Sequence, residues 1–111
     1  MSVSRAKGTA WETAIVAYLQ ARGWPHAERR ALAGHLDRGD IAGLVGVCLS
    51  AKSVKRLELA QWADEAASQA ARGGADIAAV WFKRRGHTSP GRAYVLLDGH
   101  TFTKLLKEAG Y

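Results

Sequence analysis

Arg38-Gly39-Asp40-Ile41-Ala42-Gly43-Leu44-Val45-Gly46-Val47-Cys48-Leu49-Ser50-Ala51-Lys52 is the stretch that decides how this chain reads. Two short apolar runs, 39–44 and 46–52, meet at a joint near Val45-Gly46 and are rich enough in aliphatic and β-branched residues to be strands. Together they read as an antiparallel hairpin. Strand side chains alternate between faces, so Cys48, Ser50 and Lys52 share one face while Val47, Leu49 and Ala51 share the other. In such a hairpin Asp40 falls beside Ser50 and Lys52.

Working outward, Trp11, Ile15, Tyr18 and Leu19, with Ala14, recur at helical spacing, which predicts an amphipathic helix over 8–22 closed by Arg22-Gly23. Trp24 to Arg30 reads as a short strand that either lies at an edge or begins late, because Pro25 cannot donate to a ladder. Residues 31–38 read as a loop. Leu59, Trp62, Ala63, Ala66 and Ala70 predict a second helix over 57–72, stopped at Gly73-Gly74, whose alanine-rich face suits close packing on a sheet. Asp76 to Phe82 is an apolar strand, 83–91 a basic loop, and Arg92 to Leu97 another strand. Asp98-Gly99 is a turn, and Thr101 caps a last helix bearing Phe102, Leu105 and Leu106. The order α-β-β-β-α-β-β-α specifies an α/β fold, a mixed central β-sheet flanked by helices.

With 111 residues the chain is long enough for one domain, 1–111, and one core. No apolar run approaches the roughly 20 residues that span a bilayer, so no membrane partner is expected. Met1-Ser2-Val3-Ser4-Arg5-Ala6-Lys7 lacks the apolar segment of a secretory signal. A single cysteine, Cys48, fits a reducing cytoplasm and reads as packing. His26, His35, His87 and His100 have no zinc-ligand spacing, although His35 lies near Asp37 and Asp40 in sequence. Glycine-rich phosphate or dinucleotide motifs are missing, which argues against a small-molecule cofactor. Trp11, Trp62 and Trp81 sit at periodic positions and read as core.

The net charge of +6 and pI near 9.9 point to a polyanionic partner. The cations gather in Arg29-Arg30, in Lys52, Lys55 and Arg56, and in Lys83-Arg84-Arg85 through Arg92. Against that charge, an acid followed by a lysine at a strand end has a specific chemical use. A divalent cation that activates water prefers hard carboxylate oxygens, and a neighbouring lysine orients the nucleophile or offsets charge building on a phosphate. Asp40 equally fits an ordinary turn acid after Arg38-Gly39. Glu12, beside Trp11 on the first helix, is either a surface glutamate or a group aimed at the same site.

Lys7-Gly8-Thr9-Ala10-Trp11-Glu12, Arg29-Arg30, the 38–44 stretch and Val47 to Lys52 together resemble the Holliday junction resolvases of the PD-(D/E)XK nuclease superfamily. The kind encoded by actinobacteria and their phages, similar to the archaeal resolvases, is the nearest in pattern. Leu59-Ala60-Gln61-Trp62, Ala75-Asp76-Ile77 and Val80-Trp81-Phe82-Lys83-Arg84-Arg85-Gly86 extend the resemblance over nearly the whole chain. Each motif is short, and their order and spacing carry the likeness.

The resemblance implies a restriction-endonuclease-like fold and a structure-specific endodeoxyribonuclease that hydrolyses phosphodiesters in four-way DNA junctions. It implies Mg²⁺ or Mn²⁺ as cofactor, with Glu12 and Asp40 as metal acids and Lys52 as the lysine of the (D/E)xK element. It implies branched DNA as partner, with Arg29, Arg30, Lys55, Arg56, Lys83, Arg84 and Arg85 on the phosphates. A homodimer would give the two sites that a two-fold junction needs, through the last helix at Phe102, Leu105 and Leu106 or the first at Trp11. The family's second strand acid falls on Ser50, where a hydroxyl is a weak metal ligand. The expectation is therefore impaired cleavage, raised by Ser50→Glu, unless Glu58 or Glu65 on the second helix supplies the carboxylate. A non-catalytic branched-DNA-binding protein of the same fold is the alternative. An RNA-binding or interaction protein would fit the charge but leaves Glu12, Asp40 and Lys52 without a purpose.

Overall fold

The computed structural model describes residues 3–30 and 38–111. Helix α1 (Val3–Ala21) is followed by strands β1 (Glu28–Arg29), β2 (Ile41–Ala42) and β3 (Val47–Lys52). Helix α2 (Leu59–Gly73), strand β4 (Ile77–Phe82), a 3₁₀ turn at Pro90–Arg92, strand β5 (Tyr94–Leu96) and helix α3 (Gly99–Glu108) complete the described elements. The five strands form one sheet in the order β1-β2-β3-β4-β5. β3 and β4 run parallel with α2 between them in sequence, and the other neighbours are antiparallel. The described residues are thus α/β, with an open mixed sheet and three α-helices.

Strand alternation divides the core into two layers. Trp11, Ile15 and Leu19, four residues apart on α1, are buried against Ile41, Leu49 and Ala79 on one face. The indole of Trp11 also donates Nε1–H to the Trp81 carbonyl at 3.0 Å. Trp11 is therefore core, as its periodic position predicts. On the opposite face, Trp62 and Ala66 of α2 pack against Val80 and Phe82. Ala70 continues the same helical stripe and is also buried. The small side chains let α2 lie close to the sheet, which brings its neighbouring polar residues within reach of β3.

Several boundaries differ from those read in the sequence. β1 is confined to Glu28–Arg29, because Trp24 and Ala27 are used in a turn that closes α1 (Trp24 N–H to Leu19 carbonyl, Ala27 N–H to Trp24 carbonyl). β2 begins at Ile41, so Asp40 precedes the strand instead of lying within it. The hairpin register nonetheless pairs Ile41 with Leu49. The loop expected over 31–38, with His35 and Asp37, lies outside the described residues except for Arg38.

The last helix is capped by Asp98, not Thr101. Asp98 is extended at the N-cap and its carboxylate accepts the Thr101 backbone N–H at 2.8 Å. Thr101 is the buried donor in that bond. The hydrogen bonds from Thr101 hold the Asp98 carboxyl below the usual carboxylate range, with His100 nearby acting in the same direction. A depressed folded-state pKa means that the cap stabilises fully at neutral pH and is lost as the pH falls through that pKa. Asp98→Ala should lower the thermal midpoint near pH 7, and the gap from wild type should close in acid. Melts across a pH series check this.

Candidate active site

Gly39 prepares the position of Asp40. It has φ +102, which L side chains rarely adopt, and a Cβ there would meet the Leu49 carbonyl oxygen at 2.9 Å and Cys48 Sγ at 3.1 Å. Only glycine lets the chain press this closely on β3 before turning into β2. Asp40 then donates its backbone N–H to the Leu49 carbonyl and accepts from the Arg30 N–H, both at 2.8 Å. Its carboxylate accepts the Ala51 N–H at 2.8 Å. A side chain thus satisfies the β3 amide that a longer β2 would have paired through its backbone. The consequence is a carboxylate fastened at the carboxyl end of β3, one residue from Lys52.

Ser50 and Lys52 point to the α2 face, as alternation requires. Ser50, only 4% exposed, donates its hydroxyl to Gln69 Oε1 at 2.7 Å. Lys52 Nζ lies 3.6 Å from Glu65 Oε2. The other Glu65 oxygen accepts Gln61 Nε2–H at 2.9 Å, which holds the carboxylate from its own helix. Gln61, Glu65 and Gln69 are spaced by four and each precedes one of the buried residues Trp62, Ala66 and Ala70. That spacing was the signal available in the sequence for the polar stripe facing Ser50 and Lys52. Of the two substitutes considered, Glu65 meets Lys52, whereas Glu58 pairs with Arg56 at 3.7 Å.

Glu12 belongs to the other layer. Its carboxylate accepts Arg29 Nε–H at 3.0 Å, joining α1 to β1 on the Ile41 face of the sheet. The described contacts therefore place Asp40 on Ala51 and Glu65 on Lys52, successive residues of β3, and leave Glu12 with Arg29. No group of three or more His, Cys, Asp or Glu side chains suited to a metal ion occurs among the described residues. Two carboxylates, Asp40 and Glu65, flank the strand end. Magnesium is commonly held by one or two carboxylates completed with water and substrate phosphate.

The predicted basic residues separate in the same way. Lys55, Lys83, Arg84 and Arg85 border one groove of about 590 Å³, and Lys7 from α1 joins them. The groove lies beyond the carboxyl ends of the parallel strands β3 and β4, where the Lys83 N–H bonds the Lys52 carbonyl at 2.9 Å. Ligands of open α/β sheets characteristically bind at such strand ends. Arg56 is nearly fully exposed beside Glu58. Arg29 is engaged by Glu12, and Arg30 Nε is buried with no hydrogen-bond partner among the described residues.

No described helix is long and apolar enough to cross a membrane. The chain matches no known protein-family model, no curated protein and no solved structure.

Proposed function

We propose that this chain is a metal-dependent endodeoxyribonuclease acting on branched DNA, with the PD-(D/E)XK arrangement and a restriction-endonuclease-like topology. The observation that carries the reading is the junction at the end of β3: Ala51 holds the Asp40 carboxylate at 2.8 Å while the adjacent Lys52 faces Glu65 at 3.6 Å. Asp40 is held on Ala51 and Glu65 on Lys52, successive residues of β3, and a groove with five cations in its lining begins at the next residue, Ser53. A basic surface alone would not require carboxylates there, since they repel the phosphates it attracts. A divalent cation between acids and phosphate removes that conflict.

Asp40 and Glu65 would hold Mg²⁺ or Mn²⁺, which supplies an activated water and charge neutralisation at the scissile phosphate. Lys52, positioned by Glu65, would orient that water or meet the developing phosphate charge. Glu65 takes the place that Ser50 leaves without a carboxylate, so Ser50 does not by itself disable the centre. The Ser50–Gln69 bond instead ties β3 to α2 beneath it. A homodimer, with Phe102 of α3 exposed for a partner, would present two such centres to a four-way junction.

The test is incubation of the full chain with a synthetic four-way junction and a linear duplex of the same sequence, with Mg²⁺, with Mn²⁺ and with EDTA. Symmetric nicking of the junction that requires the metal is the expected result. Metal-independent nicking, or a junction bound but left intact under every metal condition, would replace this reading with the non-catalytic one.

A further inference from the structure

The groove beyond β3 and β4 is more than a cationic surface. Its walls are apolar: Val54 and Leu57, 56% and 54% exposed, come from the segment after β3, and Tyr94, 49% exposed, comes from β5. Phe82 lies at its base, with its ring centroid 5.6 Å from that of Tyr94. The Arg84 guanidinium stands 5.4 Å over the Tyr94 ring, with Lys55, Lys83 and Arg85 around it.

Duplex DNA would use only the rim of this groove. Its bases are stacked and paired, so a docked duplex presents phosphates to the cations and leaves Val54, Leu57 and the open half of Tyr94 in water. An unpaired nucleotide uses both parts, its base against the aromatic and aliphatic walls and its phosphates on the cations. Basic grooves lined with aromatic rings bind single strands in this way, without reading sequence, because every base has a π face.

We infer that the groove lined by Tyr94, Val54 and Leu57 receives an unpaired nucleotide, so that the preferred substrate is branched DNA with a single-stranded segment, such as a flap, a fork or an opened crossover. The inference deepens the nuclease reading by naming the substrate feature beside the cleavage centre. It does not require cleavage to occur. A single strand entering the groove passes Ser53, the residue that follows Lys52 at the carboxyl end of β3. The selectivity for branched DNA then comes from the base-binding walls, and the affinity from the cations.

Fluorescence anisotropy of the full chain in EDTA tests this with a labelled oligothymidylate and a blunt hairpin duplex carrying the same number of phosphates. The oligothymidylate should bind more tightly. Tyr94→Ala should weaken it by roughly ten-fold, a typical loss for one base-stacking ring, and leave duplex binding unchanged, while Tyr94→Phe should bind as wild type. Val54→Ser, in an exposed segment where the fold is insensitive, should give a smaller loss in the same direction. Tighter binding of the duplex overturns the inference, as does an equal effect of Tyr94→Ala on both probes in a protein with wild-type circular dichroism. With EDTA present, the outcome is independent of the cleavage assay, so failure of either reading is seen separately.

Discussion

Asp40→Asn should reduce metal-dependent nicking of a four-way junction by more than about a hundredfold, since even outer-shell groups of metal sites cost up to that much. The substitution is chosen for what it preserves. An asparagine carbonyl oxygen can still accept the Ala51 N–H that Asp40 accepts at 2.8 Å, so the end of β3 stays closed. The formal charge that attracts a divalent cation is lost, and hard cations discriminate sharply between carboxylate and neutral oxygen. Junction affinity in EDTA should stay the same or rise, because a negative charge near the phosphates has been removed. Single-turnover cleavage and gel-shift titration of the same preparation give both quantities. Nicking at the wild-type rate would remove Asp40 from the centre.

Glu65→Gln should have a comparable effect on cleavage and a small one on stability. The Lys52–Glu65 pair is partly solvated, with side chains 31% and 41% exposed. Such pairs contribute about 0–1 kcal/mol, and glutamine can keep the bond from Gln61. A stability change of that size beside a collapse in turnover would mark Glu65 as functional and not merely structural. Restoring a carboxylate on the strand by adding Ser50→Glu to Glu65→Gln should recover part of the lost rate, since position 50 shares the face of Lys52. The recovery will be incomplete, because residue 50 is almost fully buried against Gln69 and the longer side chain must displace it. Chemical denaturation and cleavage rates of wild type and the two variants decide it; a Glu65→Gln protein that nicks at full rate would leave Glu65 with no role beyond pairing Lys52.

Much of this architecture was already legible in the chain. The spacing of Trp11, Ile15 and Leu19, and of Trp62, Ala66 and Ala70, specifies which helical faces are buried, because burial of a stripe is a local consequence of the 3.6-residue period. Alternation along 47–52 likewise assigns Ser50 and Lys52 to one face whatever packs there. The acid before β2 and the lysine at the end of β3 were visible as residue types at a spacing, and the hairpin register pairing Ile41 with Leu49 follows from the short joint between the runs.

Partnership was decided only by the tertiary structure. Nothing local says that Glu12 meets Arg29, or that Lys52 meets Glu65 thirteen positions later, since each pair depends on which helix covers which face of the sheet. The α3 cap, read from the sequence as Thr101, is Asp98 for a related reason: the path leaving β5 starts the helix at Gly99. The basic groove has the same origin. Lys7, Lys55, Lys83 and Tyr94 lie on four separate segments, and only the parallel pairing of β3 with β4 brings their ends to one edge. Sequence by itself determined the chemistry available and the faces that carry it. Long-range packing, which no periodicity encodes, determined which of those groups stand together.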